Sequence, residues 1–202
     1  GRGPDFQLLD RISQVGLSTP MTYAGGIQTV EEGKSIIRAG AERVGLDALL
    51  HDSPETVSEM SQCLGAQALI AILPLSASEK ANELMWLNYR TKTSRTLSDP
   101  LWRLFDEAAV SEAMVVDWKN EGSSESFDFR LIKKFPQKSI PLIAFGGLNT
   151  SDQIKDAMSV AQVRSVAVGN FLSYQEHAIQ KLKKQLVELP IRPLAEHKSC
   201  CP

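Results

Sequence analysis

Glycines closing short apolar runs are the residues of this chain best placed to do chemistry, because backbone without side chains lets N–H groups approach an anion. Leu142, Ile143 and Ala144 form one such run, ended by Gly146-Gly147. Val166, Ala167 and Val168 form the next, ended by Gly169-Asn170. Between them, Asp152 to Val160 sets Ile154, Met158 and Val160 on one helical face. Two parallel strands joined by a crossover helix follow, with a phosphate seated on the amides at their ends. A Gly-Gly pair that only makes a tight strand-to-helix turn has the same local sequence. Taken alone, this pair leaves both readings open.

The pattern occurs a second time, which favours the phosphate reading. Pro20-Met-Thr-Tyr-Ala-Gly-Gly-Ile-Gln-Thr29 precedes a helical run and then Val44-Gly-Leu-Asp-Ala-Leu-Leu50. Pro20 aligns with Pro141, Gly25-Gly26 with Gly146-Gly147, and Thr29 with Thr150. After one residue of slippage Val44 aligns with Val166 and Leu50 with Leu172. Such an internal repeat means two supersecondary units built alike. Related by a half-barrel rotation, they suit a ligand with a phosphate at each end.

The elements that must position these turns follow from the periodicity. Asp5 to Val15 reads as an amphipathic helix stopped by Gly16, and Met21 to Ala24 as a strand. Thr29-Val-Glu-Glu32 reads as a capping box, Arg43 to Asp47 as a strand, and Ser53-Pro54 as a helix start with serine as N-cap. Ala68 to Leu73 is a continuous apolar strand expected to stop at Pro74. Ser76 to Thr96, carrying Trp86 and Tyr89, reads as a long loop or hairpin, a class of segment that often has a function. Asp99-Pro100 starts a helix, Ala113 to Trp118 is a strand, Phe127 to Phe135 a short helix, and Ala178 to Leu189 a final helix. Six apolar strands, each followed by helical sequence, predict a parallel sheet covered by helices. An open doubly wound sheet and a closed barrel compete, and the repeat favours the barrel.

Composition narrows the function classes. The 202 residues suit one domain, and 43% apolar with 23% charged residues is an ordinary globular balance. A formal net charge of −2 gives no electrostatic case for nucleic acid or an anionic membrane. Neither a membrane-spanning run nor a signal-peptide pattern is present. The three cysteines, Cys63 and Cys200-Cys201, have no ligand spacing, which points to a reducing, cytoplasmic setting. A frayed tail is the expected state of Cys200-Cys201 and His197, with no metal and no cofactor.

Five stretches in order resemble one family. They are Pro20 to Thr29, Arg38-Ala-Gly-Ala-Glu-Arg-Val44, Ser111-Glu-Ala-Met-Val-Val116, Pro141 to Gly147 and Val166 to Asn170. They are similar to the cyclase subunit of imidazole glycerol phosphate synthase (HisF), including the HisF-like branch linked to surface-sugar amidation. The resemblance implies a single TIM (β/α)8-type barrel domain over residues 1–202, incomplete in this chain: six parallel βα units, with roughly 50 residues and the first two strands absent. It implies phosphate binding by Gly146, Gly147, Gly169 and Asn170, under a loop carrying Gly122, and by Gly25 and Gly26 at the other end. It also implies a glutaminase partner (HisH-like) that delivers ammonia, with Glu42, Arg43 and Glu112 on the docking and gating face.

The family's chemistry, a lyase-type ring closure in histidine biosynthesis, uses two aspartates at strand ends. One lies on the first strand, and the other falls at Pro74, which can neither give nor take a proton. The family's Asn-Thr pair at an early strand end is Asp47-Ala48 here, and a threonine-serine pair is Val116-Asp117. Asp117, near the end of a buried strand, is the remaining candidate acid or base, and equally a cap for the loop after it. Glu121 matches a loop acid of the family. The alternatives are a non-catalytic HisF-like partner-binding protein and a HisA-like phosphosugar isomerase.

Overall fold

The structure, a computed structural model, describes residues 3–16, 19–78, 83–123, 125–169, 172 and 176–192. Helix α1 (Phe6–Gln14) comes first, capped by the Asp5 carboxylate, which accepts from the Leu8 N–H. Strand β1 (Thr22–Ala24) leads to α2 (Val30–Arg38), and β2 (Arg43–Leu46) to α3 (Leu49–Asp52) and α4 (Pro54–Leu64). Strand β3 (Leu69–Ala77) runs into the hairpin β4 (Leu84–Asn88) and β5 (Thr93–Thr96), then α5 (Asp99–Asp106). The last units are β6 (Glu112–Asp117) with α6 (Arg130–Lys133), β7 (Leu142–Phe145) with α7 (Ser151–Ser159), and β8 (Val163–Ala167) with α8 (Ala178–Gln185).

Six strands pair in parallel in the order β1-β2-β3-β6-β7-β8, and the β4–β5 hairpin joins β3 antiparallel. This is the curled sheet of a partial (β/α)8 barrel. Among the described residues, β1 and β8 are its two edges. β3 lies in the middle and is buried along almost its whole length, as a strand covered on both faces must be. Helices α2 and α4 pack outside it through Ile36, Val57 and Met60, all fully buried. Trp102 and Phe105 of α5 each meet the Phe135 ring edge-on.

Three local expectations need correction. Proline does not stop β3: Pro74 sits inside it, paired with Val116 of β6. On the other side of β3, pairing to β2 ends at Ala71 and pairing to β4 begins at Leu75. Pro74 falls in that gap, where a missing N–H costs least. The helix expected over Phe127 to Phe135 forms only over Arg130–Lys133. Ser53 precedes α4, yet its hydroxyl makes no capping bond and pairs instead with the side chains of Glu55 and Thr56.

The internal repeat is structural. Tyr23 faces Val44 as Ala144 faces Val166, and Ala24 faces Gly45 as Phe145 faces Ala167. Both crossover helices open on a full capping box. Glu32 Oε2 accepts from the Gln28 and Thr29 N–H groups at 2.7 and 3.0 Å, and Gln153 Oε1 accepts from those of Asn149 and Thr150, both at 3.0 Å. Identical capping fixes both Gly-Gly turns in the same relation to the helix that follows.

Candidate functional site

At the C-terminal ends of β7 and β8 the structure brings four of the expected glycines together. Gly146, Gly147 and Gly169 line one cavity of about 640 Å³ with Gly122, Glu121 and Ser123 of the loop after β6. Asn170 lies outside the described residues. Gly146 and Gly147 have φ of +100° and +67°, values that side chains make costly. They are also places of close backbone approach: a Cβ on Gly146 would lie 2.6 Å from the Asp117 carbonyl oxygen, and one on Gly147 2.7 Å from that of Glu125. The pair therefore seats the loop after β6 against β7 and leaves the cavity open beside it. Phe145 forms one wall, its ring close to Gly169, without filling the space.

Asp117 is nearly fully buried and faces the same loop. Its Oδ2 accepts from the Asn120 side-chain amide and the Asp128 N–H, both at 2.8 Å. The Asn120 amide also donates to the Ser126 carbonyl at 3.0 Å, so one carboxylate gathers both ends of the loop. A cavity of about 190 Å³, bordered also by Ser76, Lys119 and Arg130, opens beside Asp117.

The earlier copy of the turn lines a second cavity, of about 460 Å³. Gly25 and Gly26 border it at φ of +105° and +74°, matching the later pair. Facing them are Asp47 and Ala48 after β2, Asp52 of α3, and Arg90 from the β4–β5 turn. Arg90 is ion-paired with Asp52. Asp47 Oδ1 accepts from the Trp86 indole N–H at 3.3 Å, and burial pushes its carboxyl up to about 6. His51 stacks on Trp86 with ring centroids 3.9 Å apart. Neither His51 ring nitrogen has a hydrogen-bond partner, and burial, helped by Arg95, pushes the imidazole down to about 4.

The hairpin joins the two cavities. Tyr89 Oη donates to Glu121 Oε2 at 3.4 Å on the rim of the later one, while its neighbour Arg90 reaches into the earlier one. Burial and the nearby carboxylates of Glu121 and Asp47 raise the phenol pKa, so the hydroxyl stays a donor. Sequence reasoning singled out this stretch, Trp86 and Tyr89 without giving them a role. It passed over His51, Asp52 and Arg90, because no local pattern marks residues that meet only when a hairpin folds back over a strand end.

At the opposite end of the sheet, Arg43 Nη1 pairs with Glu112 Oε2 at 2.6 Å, and Nη2 donates to Ser111 Oγ at 2.6 Å. Its Nε donates to the Gln67 carbonyl at 3.1 Å, so the guanidinium ties β2, β3 and β6 together at their N-terminal ends. Glu42 is exposed beside it and belongs to no ion pair seen among the described residues. Among the described residues, no group of three His, Cys, Asp or Glu could hold a metal ion, and no helix is long and apolar enough to cross a membrane. The tail carrying His197, Cys200 and Cys201 lies outside the described residues.

The sequence is similar to proteins that carry a common name. A chain named imidazole glycerol phosphate synthase subunit HisF from Thermococcus gammatolerans is 29% identical over 197 residues, covering 95% of this chain and 76% of that one. Those of the same name from Alkaliphilus metalliredigens and Anoxybacillus flavithermus are 26% and 27% identical, over 92% and 85% of this chain and 75% and 69% of their own. A sequence model of the family described as histidine biosynthesis protein matches residues 1–178. With the duplicated βα units and paired glycine turns, this match establishes that the chain belongs to the histidine biosynthesis protein family.

Proposed function

We propose that this chain is the HisF-type subunit of a glutamine-dependent synthase, either imidazole glycerol phosphate synthase or a sugar-amidating relative. Its ligand is phosphorylated and lies across the C-terminal ends of the strands. The observation that carries the reading is the convergence of Gly122, Gly146, Gly147 and Gly169 on a single cavity. Backbone amides at strand ends suit phosphate oxygens, and their dipoles favour the charge. Ammonia enters from a glutaminase docked at the N-terminal face, where Arg43, Glu112 and Glu42 lie. That part rests on the relatives' name and on the charge pair at the sheet mouth.

A second reading is supported by two observations. Pro74 takes the place of one of the family's aspartates, and the buried Asp117 already accepts two hydrogen bonds at 2.8 Å from its own loop. A HisF-like protein that binds phosphate and a glutaminase without closing a ring fits those two facts. One assay separates the readings: ammonia-dependent turnover of the family's ribonucleotide substrate, run beside stimulation of glutamine hydrolysis by a co-purified glutaminase. Turnover supports the cyclase, and stimulation without turnover supports the binding protein. If inorganic phosphate fails to perturb the Gly146, Gly147 and Gly169 amides by NMR, both readings fall.

A further inference from the structure

The two halves of the repeat differ at one informative position. In the aligned strands Ala24 pairs with Gly45 where Phe145 pairs with Ala167. Two residues further along, Asp47 of the early half stands where the late half has Gly169. A glycine there leaves backbone exposed to the cavity, whereas an aspartate puts an acceptor-only carboxylate at its edge. Among the described residues, Arg90 is the one cation bordering the early cavity, and it is already paired with Asp52. The late cavity also holds an acid, Glu121, but that side chain sits exposed on the rim with Tyr89 donating to it. Asp47 is more sheltered, with one oxygen held by the Trp86 indole, so water screens its charge less.

We propose that the early pocket is a cation site: it receives a protonated nitrogen of the ligand, so that this chain reads one phosphate and one amine in place of two phosphates. The proposal rests on the late pocket being the phosphate site and, of the two synthases named above, on the sugar-amidating relative, because the resemblance to imidazole glycerol phosphate synthase implies a phosphate at both ends. It sharpens the substrate class to a phosphorylated molecule with a basic group at its far end. Asp47 is then the residue that sets specificity. Its free carboxylate oxygen accepts from the ammonium, Gly25 and Gly26 let the ligand approach the strand ends closely, and Asp52 keeps Arg90 from opposing the charge.

Amide NMR titrations of the full chain with two small probes, inorganic phosphate and methylammonium, test this. Phosphate is expected to shift the Gly146, Gly147 and Gly169 amides, and methylammonium those of Gly25, Gly26 and Ala48. Asp47→Asn keeps an oxygen for the Trp86 indole, so the fold should hold. It should weaken methylammonium binding by about tenfold or more and leave the phosphate response of the late set unchanged. Three results overturn the proposal: phosphate acting on both sets with affinities within about threefold, methylammonium leaving the early set unmoved, or Asp47→Asn binding methylammonium as the parent does. Silence of the late set toward phosphate is a separate failure, that of the functional reading above.

Discussion

Arg43 and Glu112 meet at 2.6 Å across the N-terminal mouth of the sheet, about a quarter exposed on each side. Because the same guanidinium also holds Ser111 Oγ and the Gln67 carbonyl, it braces three strands at once. Arg43→Ala should cost about 1–2 kcal/mol in urea unfolding, more than an open surface pair because the site is half-buried. A double-mutant cycle with Glu112→Gln should return a coupling of about 1 kcal/mol. A coupling near zero would leave the pair as ornament at the sheet mouth.

Gly147 and Gly25 occupy matching turns with different surroundings. A methyl on Gly147 meets the Glu125 carbonyl at 2.7 Å and the Phe127 nitrogen at 2.8 Å, whereas one on Gly25 meets nothing within 4 Å. Gly147→Ala should therefore cost about 2–4 kcal/mol, combining strain at positive φ with overpacking against backbone. Gly25→Ala should cost about 1–2 kcal/mol from strain alone. Thermal unfolding of the two variants side by side checks the ranking.

Asp47 and His51 give opposite pH slopes. The Asp47 carboxyl is raised from 3.8 to about 6, so as pH climbs through that interval the unfolded chain loses its proton first and stability falls. The His51 imidazole is lowered from 6.5 to about 4, so its contribution is whole above 6.5 and is lost as pH falls toward 4. In the parent the two trends offset each other between pH 4 and 6. Asp47→Asn should gain about 1–2 kcal/mol at pH 7, nothing near pH 4, and expose a steep acid loss. His51→Phe, which keeps the stack on Trp86, should instead become more stable as pH falls from 6 to 4. Urea midpoints across this range would show parallel curves if neither group is shifted.

Asp117 separates its two readings through one substitution. Asp117→Asn can keep its carbonyl oxygen toward the Asp128 N–H and the Asn120 side-chain amide, but its own amide then faces the Asn120 backbone N–H, donor against donor. As a loop anchor it should then cost about 1–3 kcal/mol, speed hydrogen exchange over residues 119–128, and weaken phosphate binding. As an acid or base it should abolish turnover while the loop stays protected from exchange. The exchange measurement decides between them independently of any activity.

The sequence by itself determined the parallel architecture, the repeat and the late glycine cluster. Each of these is written in local terms: apolar runs that need burial on both faces, capping boxes at Thr29 and Thr150, and Gly-Gly at strand ends. The passage of β3 through Pro74 was invisible to it, because a proline stops a strand only where its missing N–H would have been used. That depends on where β2 ends and β4 begins. Tertiary structure alone decided that Arg90 meets Asp52, that Trp86 holds Asp47, and that Tyr89 and Arg90 reach two different cavities. Those partners lie 32 to 39 positions apart in the chain. Only the folding back of one hairpin brings them together, and no spacing of residues along a strand or helix encodes that contact.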